Sequence, residues 1–313
     1  MSAGPFRIAV VGAGRMGRVH LDALTRSDQV EVVAVLEPVD AVRRGLAERG
    51  LRTFATLAQL LEDRGFDGVL IAAPTDRHVE LVEAFALAEI PILCEKPVGL
   101  AAVDAIAAAH AVQRAGIVFQ VGYWRRFVPE LRSLRERMAA GELGEIVQIS
   151  CLQWDAEPPS AQFRAHSGGI AVDMGVHEFD QARWLTGQDV ASATGVPGGS
   201  GDQREIDPDV AAITARLTAG AVLIVSLGRI FPEGDCCWVE VFGTKGYERI
   251  PFVWGAAGDE VFHAALAAQA EAFAAAVRGA EPAGAGVTDA VAALRAAEMA
   301  RDAMRASRGS VPA

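Results

Sequence analysis

The chain has 313 residues, 51% of them hydrophobic, enough for two domains that each build a core. Its formal net charge is −11 and its isoelectric point lies near 5.1, with no basic block to offset the acids, which argues against nucleic acid or an anionic membrane as partner. The four cysteines (Cys94, Cys151, Cys236 and Cys237) show neither CxxC spacing nor a secreted disulfide pattern, no apolar stretch reaches transmembrane length, and no N-terminal run reads as a signal peptide, so a cytoplasmic protein is expected.

Residues 6–11, apolar but for Arg7, form a run of buried-strand length. Gly12-Ala13-Gly14-Arg15-Met16-Gly17 follows at once and opens a helix reaching about residue 26. This is GxGxxG between a strand and a helix, the setting in which it binds a dinucleotide. Gly12 permits the tight turn, Gly14 lets the main chain approach a pyrophosphate, and Gly17 allows close helix–strand packing. The helix N-terminus favours the phosphate charge. A second strand, 30–36, ends at Glu37, about 20 residues past the last glycine, where a carboxylate accepts both ribose hydroxyls and repels a 2′-phosphate. NAD is therefore favoured over NADP, although Arg43 and Arg44 lie a turn or two further on.

The alternation continues with a strand at 68–72, a helix at 78–88, a strand at 91–94, a helix at 103–115 and a strand at 118–122. Repeated βα units predict an α/β fold with a doubly wound parallel sheet, whose ligands sit at the carboxyl ends of the strands. Three segments fall at those ends: Pro74-Thr75-Asp76-Arg77-His78, Glu95-Lys96-Pro97 and Tyr123-Trp124-Arg125-Arg126. An NAD-binding Rossmann domain is expected over residues 1–122.

After Gly144 the pattern changes. Strands at 146–154, 190–196, 210–217, 221–227, 237–242 and 248–252 predict a large, mostly antiparallel sheet. Thr244-Lys245-Gly246 reads as a hairpin turn and 197–201 as a glycine- and serine-bearing loop. Residues 261–278 and 289–307 read as long alanine-rich helices. A second α/β domain is expected over residues 123–313, its C-terminal helix being free to pack back on the first domain.

Within it, the pair Gly168-Gly169 precedes Asp173 and His177, which stand four residues apart. On a helix that spacing places both side chains on one face. A carboxylate beside an imidazole fixes its tautomer and raises its pKa, which suits a general acid/base. His166 is either a pocket wall or a surface residue. Arg125 and Arg126 either bind substrate hydroxyls or a carboxylate or pair with acids on the following helix, and Trp154 and Asp155, at a strand end, are similar candidates. His20 reads as packing on the first helix, and His110 and His263 as helix-surface residues. No Cys/His/Glu cluster has zinc-ligand spacing, so no metal is expected.

The Gly12-to-Gly17 turn, Glu95-Lys96-Pro97 and the Gly168-to-Leu185 block, with its Asp180 and Arg183-Trp184-Leu185, resemble the glucose–fructose oxidoreductase, inositol dehydrogenase and rhizopine-catabolism (Gfo/Idh/MocA) family. The resemblance covers nearly the whole chain and is strongest toward inositol 2-dehydrogenases. It implies a Rossmann domain, a second α/β domain with an open sheet, dimers or tetramers built through that sheet, and a Lys96–Pro97 bond of a kind that is often cis. It places His78 near the nicotinamide ribose, and it implies His177 as acid/base, Asp173 as the group that orients it, and Lys96 as the cation that bonds the reacting hydroxyl. The expected activity is NAD-dependent oxidation of a secondary alcohol of a cyclic polyol or sugar. One departure is the hairpin Pro232-Glu233-Gly234-Asp235, where inositol dehydrogenases tend to carry aromatic residues, so myo-inositol itself is not implied. Two other readings are an NAD-retaining glycoside-processing enzyme and a non-catalytic dinucleotide-binding sensor; the intact Lys, Asp and His set argues against the sensor.

Overall fold

The computed structural model describes residues 4–199 and 207–308; Ser200 and Gly201, part of the expected loop, lie outside them. The chain forms two compact units. The first holds the described residues up to Gly99, with Val103–Trp124 and His263–Thr288; the second holds Leu100–Ala102, Arg125–Phe262 and the described residues from Asp289 on.

The first unit is built on a six-stranded parallel sheet of order β3-β2-β1-β4-β5-β6. Its elements are β1 (Phe6–Val11), α1 (Arg15–Leu24), β2 (Val30–Leu36), α2 (Asp40–Glu48), β3 (Thr53–Phe54), α3 (Leu57–Asp63), β4 (Gly68–Ile71), α4 (His78–Leu87), β5 (Ile92–Cys94), α5 (Ala102–Ala115) and β6 (Phe119–Val121). Helices cover both faces of the sheet, which is why β4, and β1 apart from Arg7, read as apolar runs and not as alternations. Phe6, Ile8, Val10, Leu70, Leu93 and Phe273 share one core. The chain order turns around between β1 and β4, so both leave their carboxyl ends beside the switch point where such sheets bind ligands. The elements α2, β3 and α3 were not anticipated; they are short, and β3 contributes only two residues.

The second unit contains α6 (Pro129–Ala139), β7 (Ile146–Trp154), α7 (Ala161–His166), α8 (Ile170–Asp173), α9 (Gly175–Thr186), β8 (Val190–Gly198), β9 (Val210–Leu217), β10 (Val222–Gly228), β11 (Cys236–Gly243) and β12 (Tyr247–Trp254). The helices α10 (Ala257–Val277) and α11 (Val287–Arg308) complete the chain. Its six strands run in the order β12-β11-β7-β10-β9-β8, and all neighbours are antiparallel except β7 with β10. The alternation along β9 puts Ala211, Ile213, Ala215 and Leu217 inside, with Ala212, Thr214 and Arg216 on the open face. The inner face of β7 and β10 receives α9. β8 continues through Pro197 and Gly198, past the end expected at residue 196; as the edge strand it tolerates a proline that has no N–H to donate.

One correction bears on the site. The single helix expected to carry Asp173 and His177 is two, α8 ending at Asp173 and α9 beginning at Gly175. The His177 N–H reaches back three residues to the Met174 carbonyl at 3.0 Å, a tighter turn than an α-helix. Glycine at the joint explains the break, since it disfavours helix interior by about 1 kcal/mol against alanine. The i,i+4 face argument therefore does not describe this pair.

Candidate active site

The glycine turn has the shape of a phosphate cradle. Gly12 has φ +94°, and a Cβ there would lie 2.9 Å from the Ala72 carbonyl oxygen, so only glycine fits. A Cβ on Gly17 would lie 2.0 Å from the Gly12 carbonyl oxygen, which is the close helix–strand contact. At Gly14 a Cβ would meet nothing within 4 Å, so that side of the turn is open. Gly14 caps α1 without a side-chain hydrogen bond, leaving the first helical amides available to an anion. Arg15 is exposed beside it and Met16 half-buried. These residues fit a dinucleotide pyrophosphate.

Glu37 sits buried at the carboxyl end of β2. One oxygen accepts from Ala13 N at 2.9 Å and the other from Val39 N at 2.8 Å, which ties the glycine turn to the next connection. A carboxylate has about four lone-pair sites, so two remain for ribose hydroxyls. Arg43 donates to the Glu37 and Pro38 carbonyls and to Asp40, and Arg44 also pairs with Asp40. Pro74 is exposed and Thr75 half-buried just past β4.

Lys96 follows β5 on a loop held from both sides. Its own N–H donates to Glu95 Oε2 at 3.0 Å. Glu95 is buried, and its Oε1 accepts from His20 Nε2 at 2.6 Å. Burial pushes the Glu95 carboxyl up, but the His20 bond and the charges of His20 and Lys96 hold it below its ordinary value. Gly122 makes room for this carboxylate, since a Cβ there would meet it at 3.0 Å. On the other side, His78 begins α4 and is buried, with Nδ1 2.8 Å from the Pro97 carbonyl oxygen and Nε2 2.8 Å from that of Ala73. Burial drives the His78 pKa down against the pull of both carbonyls. Its two nitrogens are thus engaged by the main chain. The Lys96–Pro97 bond is cis. His20, expected from the sequence as packing, is instead half of a buried hydrogen-bonded pair with Glu95.

In the second unit, Gly168 and Gly169 have φ +78° and +85°, which turns the chain into α8. His177 is buried at the start of α9 and Asp173 partly buried at the end of α8. Asp173 Oδ2 accepts from Arg229 Nη2 at 3.2 Å. Arg229 follows β10, is fully buried, and gives Nη1 to Asp207 Oδ2 at 2.5 Å. Neither Arg229 nor Asp207 carries a local motif, and sequence reading missed both.

The other substrate candidates separate. Arg125 is buried, with its guanidinium 2.7 Å from Glu178 and donating to Gln153 and Gln181 at 2.7 and 3.0 Å. Arg125 thus pairs with an acid, but one on α9 and not on α6, the helix that follows it. Trp154 is half-buried and donates to Ser226 Oγ at 3.1 Å on β10. His166 is exposed at the end of α7. Asp235 of the acidic hairpin accepts from Ala156 N at 2.7 Å. All four cysteines are buried free thiols, Cys236 pushed up to about 11 chiefly by burial. Among the described residues no group of three or more His, Cys, Asp or Glu could hold a metal, and no helix is long and apolar enough to cross a membrane.

Comparison with known proteins agrees with this layout. Residues 6–123 match the GFO/IDH/MocA oxidoreductase family, NAD-binding Rossmann fold, and residues 131–248 match the GFO/IDH/MocA C-terminal domain. The chain belongs to this family of oxidoreductases. It is similar to the rhizopine catabolism protein MocA of Rhizobium meliloti, 48% identical over 300 residues that cover 95% of this chain and 94% of that one. It is also similar to the scyllo-inositol 2-dehydrogenase (NAD(+)) of Bacillus subtilis, 32% identical over 246 residues, 77% of this chain and 72% of the other. Among solved structures, the myo-inositol dehydrogenase of Corynebacterium glutamicum superposes with a TM-score of 0.88 at 26% identity, covering 99% of this chain and 100% of that chain.

Proposed function

We propose that the protein oxidises a secondary alcohol of a cyclic polyol or sugar to the ketone, using NAD. The observation that carries this is the held Lys96 loop at the carboxyl end of β5, in the same unit as a glycine turn shaped for pyrophosphate. The substrate class rests on the relatives named inositol dehydrogenase. NAD, held by Gly12, Gly14, Gly17 and Glu37, supplies the hydride acceptor when bound. His177 takes the hydroxyl proton, Asp173 orients His177, and the Lys96 ammonium bonds the same oxygen and offsets its developing negative charge. NAD would be preferred to NADP because the Glu37 carboxylate would accept the ribose hydroxyls and repel a 2′-phosphate, while Arg43 and Arg44 are both drawn to Asp40. For function, the boundary falls near Gly122, with the substrate part from Tyr123 on.

The test is NADH formation with myo-inositol, scyllo-inositol and D-glucose, run with NAD and NADP. His177→Ala and Lys96→Ala are each expected to lower kcat by about 10²–10⁴-fold while NAD binding persists. Turnover retained in either variant, or none in the unmodified chain, overturns the assignment.

The open face of the second sheet supports a homo-oligomer, dimer or tetramer. It presents exposed Val222, Phe242, Tyr247 and Trp254, with the Phe242 and Tyr247 rings 4.7 Å apart and the Trp238 and Trp254 rings 5.8 Å apart. Apolar side chains gathered on a sheet face favour burial against a second copy. Sedimentation should show a dimer or larger, and Trp254→Asp with Tyr247→Asp should shift it toward monomer; a monomeric unmodified chain rejects the idea.

A further inference from the structure

Arg229 is a fully buried cation that the proposed reaction does not use directly. Its guanidinium lies between two carboxylates, Asp207 at 2.5 Å and Asp173 at 3.2 Å. Asp207 is itself buried, and its other oxygen accepts from Ile170 N at 2.8 Å, the first residue of α8. Asp173 is the last residue of that helix. One Arg–Asp unit therefore grips both ends of α8, a single turn that begins on a positive-φ glycine and cannot hold its own geometry in water. The grip is anchored in turn. The Arg229 N–H donates to the Asp209 carbonyl at 3.0 Å, Arg164 donates to the Asp207 carbonyl at 3.0 Å, and Arg164 also pairs with the Asp209 carboxylate.

The geometry points to Arg229 as a positioning residue for Asp173, with Asp207 as the post that fixes Arg229. This rests on the roles proposed above for Asp173 and His177. A guanidinium does this work because its planar fork can serve two carboxylates at once, which a lysine ammonium on a flexible stem does not reproduce. Displacing a positioned carboxylate by an ångström is enough to slow a reaction by about 10²-fold.

The experiment uses the full chain, NAD and whichever of myo-inositol, scyllo-inositol and D-glucose turns over fastest. Four proteins are compared: the unmodified chain, Arg229→Lys, Asp173→Asn and the double variant. Arg229→Lys keeps the buried charge, and its folding is checked by circular dichroism. It is expected to lower kcat by about 10- to 100-fold with KM for NAD within about twofold of the unmodified chain. In the double variant kcat should fall no further than in Asp173→Asn, because a residue that acts through Asp173 has nothing left to position. A purely structural role predicts the opposite, a second loss as large as that of Arg229→Lys alone, and this or an unchanged kcat in Arg229→Lys overturns the inference. If Arg229→Lys does not fold, Asp207→Asn with its own Asp173→Asn double carries the same test with the same outcomes. Full activity in Asp173→Asn overturns the reading of Asp173 and the inference with it, whereas a large loss there beside normal Arg229→Lys overturns the inference alone.

Discussion

The two units bury charge on different terms. In the first, Glu95 is buried, yet its carboxyl is held below the ordinary value. In the second, Glu178 and Asp180 are as deeply buried, each beside a guanidinium, yet both carboxyls are pushed above theirs. Burial raises all three, so the difference lies in the neighbours. Glu95 takes a bond from His20, a main-chain N–H from Lys96 and the attraction of the Lys96 charge. Glu178 has Arg125 but also the repulsion of Asp155, and Arg125 is shared with Gln153 and Gln181. Asp180 has Arg126 but also the repulsion of Asp289, which draws on the same arginine at 3.2 Å. A cation divided among acceptors does less for each acid than several donors gathered on one.

That contrast makes the second unit's arginines its most vulnerable parts. Arg126 gives Nε and Nη2 to the two oxygens of Asp180 at 2.9 and 2.5 Å, and burial is outweighed by Asp180 and Asp289 in holding its charge. Arg126→Met leaves Asp180 without its paired guanidinium and beside Asp289, which keeps Arg183. The expected loss is about 3–5 kcal/mol, since removing one partner strands a buried charge. Calorimetry on the unmodified and variant chains checks it. A loss below about 1 kcal/mol would mean that the arginine is held without net benefit, as some buried pairs are.

The same contrast accounts for what could be read from the chain. The glycine turn, Glu37 and the Lys96 loop were legible because their work is local: a φ of +94° at Gly12, a 2.0 Å approach at Gly17 and a main-chain bond next door at Lys96 are properties of adjacent residues. The parallel sheet followed from apolar runs, and β7 and β9 were placed to the residue because their periodicity is set by one covered face. The partners that organise the second unit lie far apart in the chain, Arg126 from Asp180 by 54 residues and Arg229 from Asp173 by 56. No spacing rule links them. His20 looked like packing for the same reason, its acid being 75 residues away. A buried arginine just after a core strand, as Arg229 is after Leu227-Gly228, was the one available hint, because a charge so placed needs a partner.

The smallest expected effect gives the sharpest comparison, because the two units should respond to acid in opposite senses. The ordinary glutamate value is 4.5. Glu95 lies below it when folded, so the unfolded chain takes up the proton first as pH falls. Its contribution to stability is therefore complete above 4.5 and is lost as pH drops through the depressed folded value. Glu178 lies above 4.5 when folded, so the folded chain takes up the proton first. Its charged form weighs against folding at neutral pH, and that burden is relieved as pH falls through the raised value toward 4.5. Glu95→Gln and Glu178→Gln remove each titration in turn. Melting temperatures measured from neutral pH downward should show the advantage of the unmodified chain over Glu95→Gln shrinking below 4.5. Its advantage over Glu178→Gln should instead grow as pH falls toward 4.5. Both changes are expected within about 4 °C, the scale of one kcal/mol in a unit of this size. Parallel curves for the two variants would mean that Glu95 and Glu178 share one electrostatic setting, and the distinction between gathered donors and a divided cation would fall.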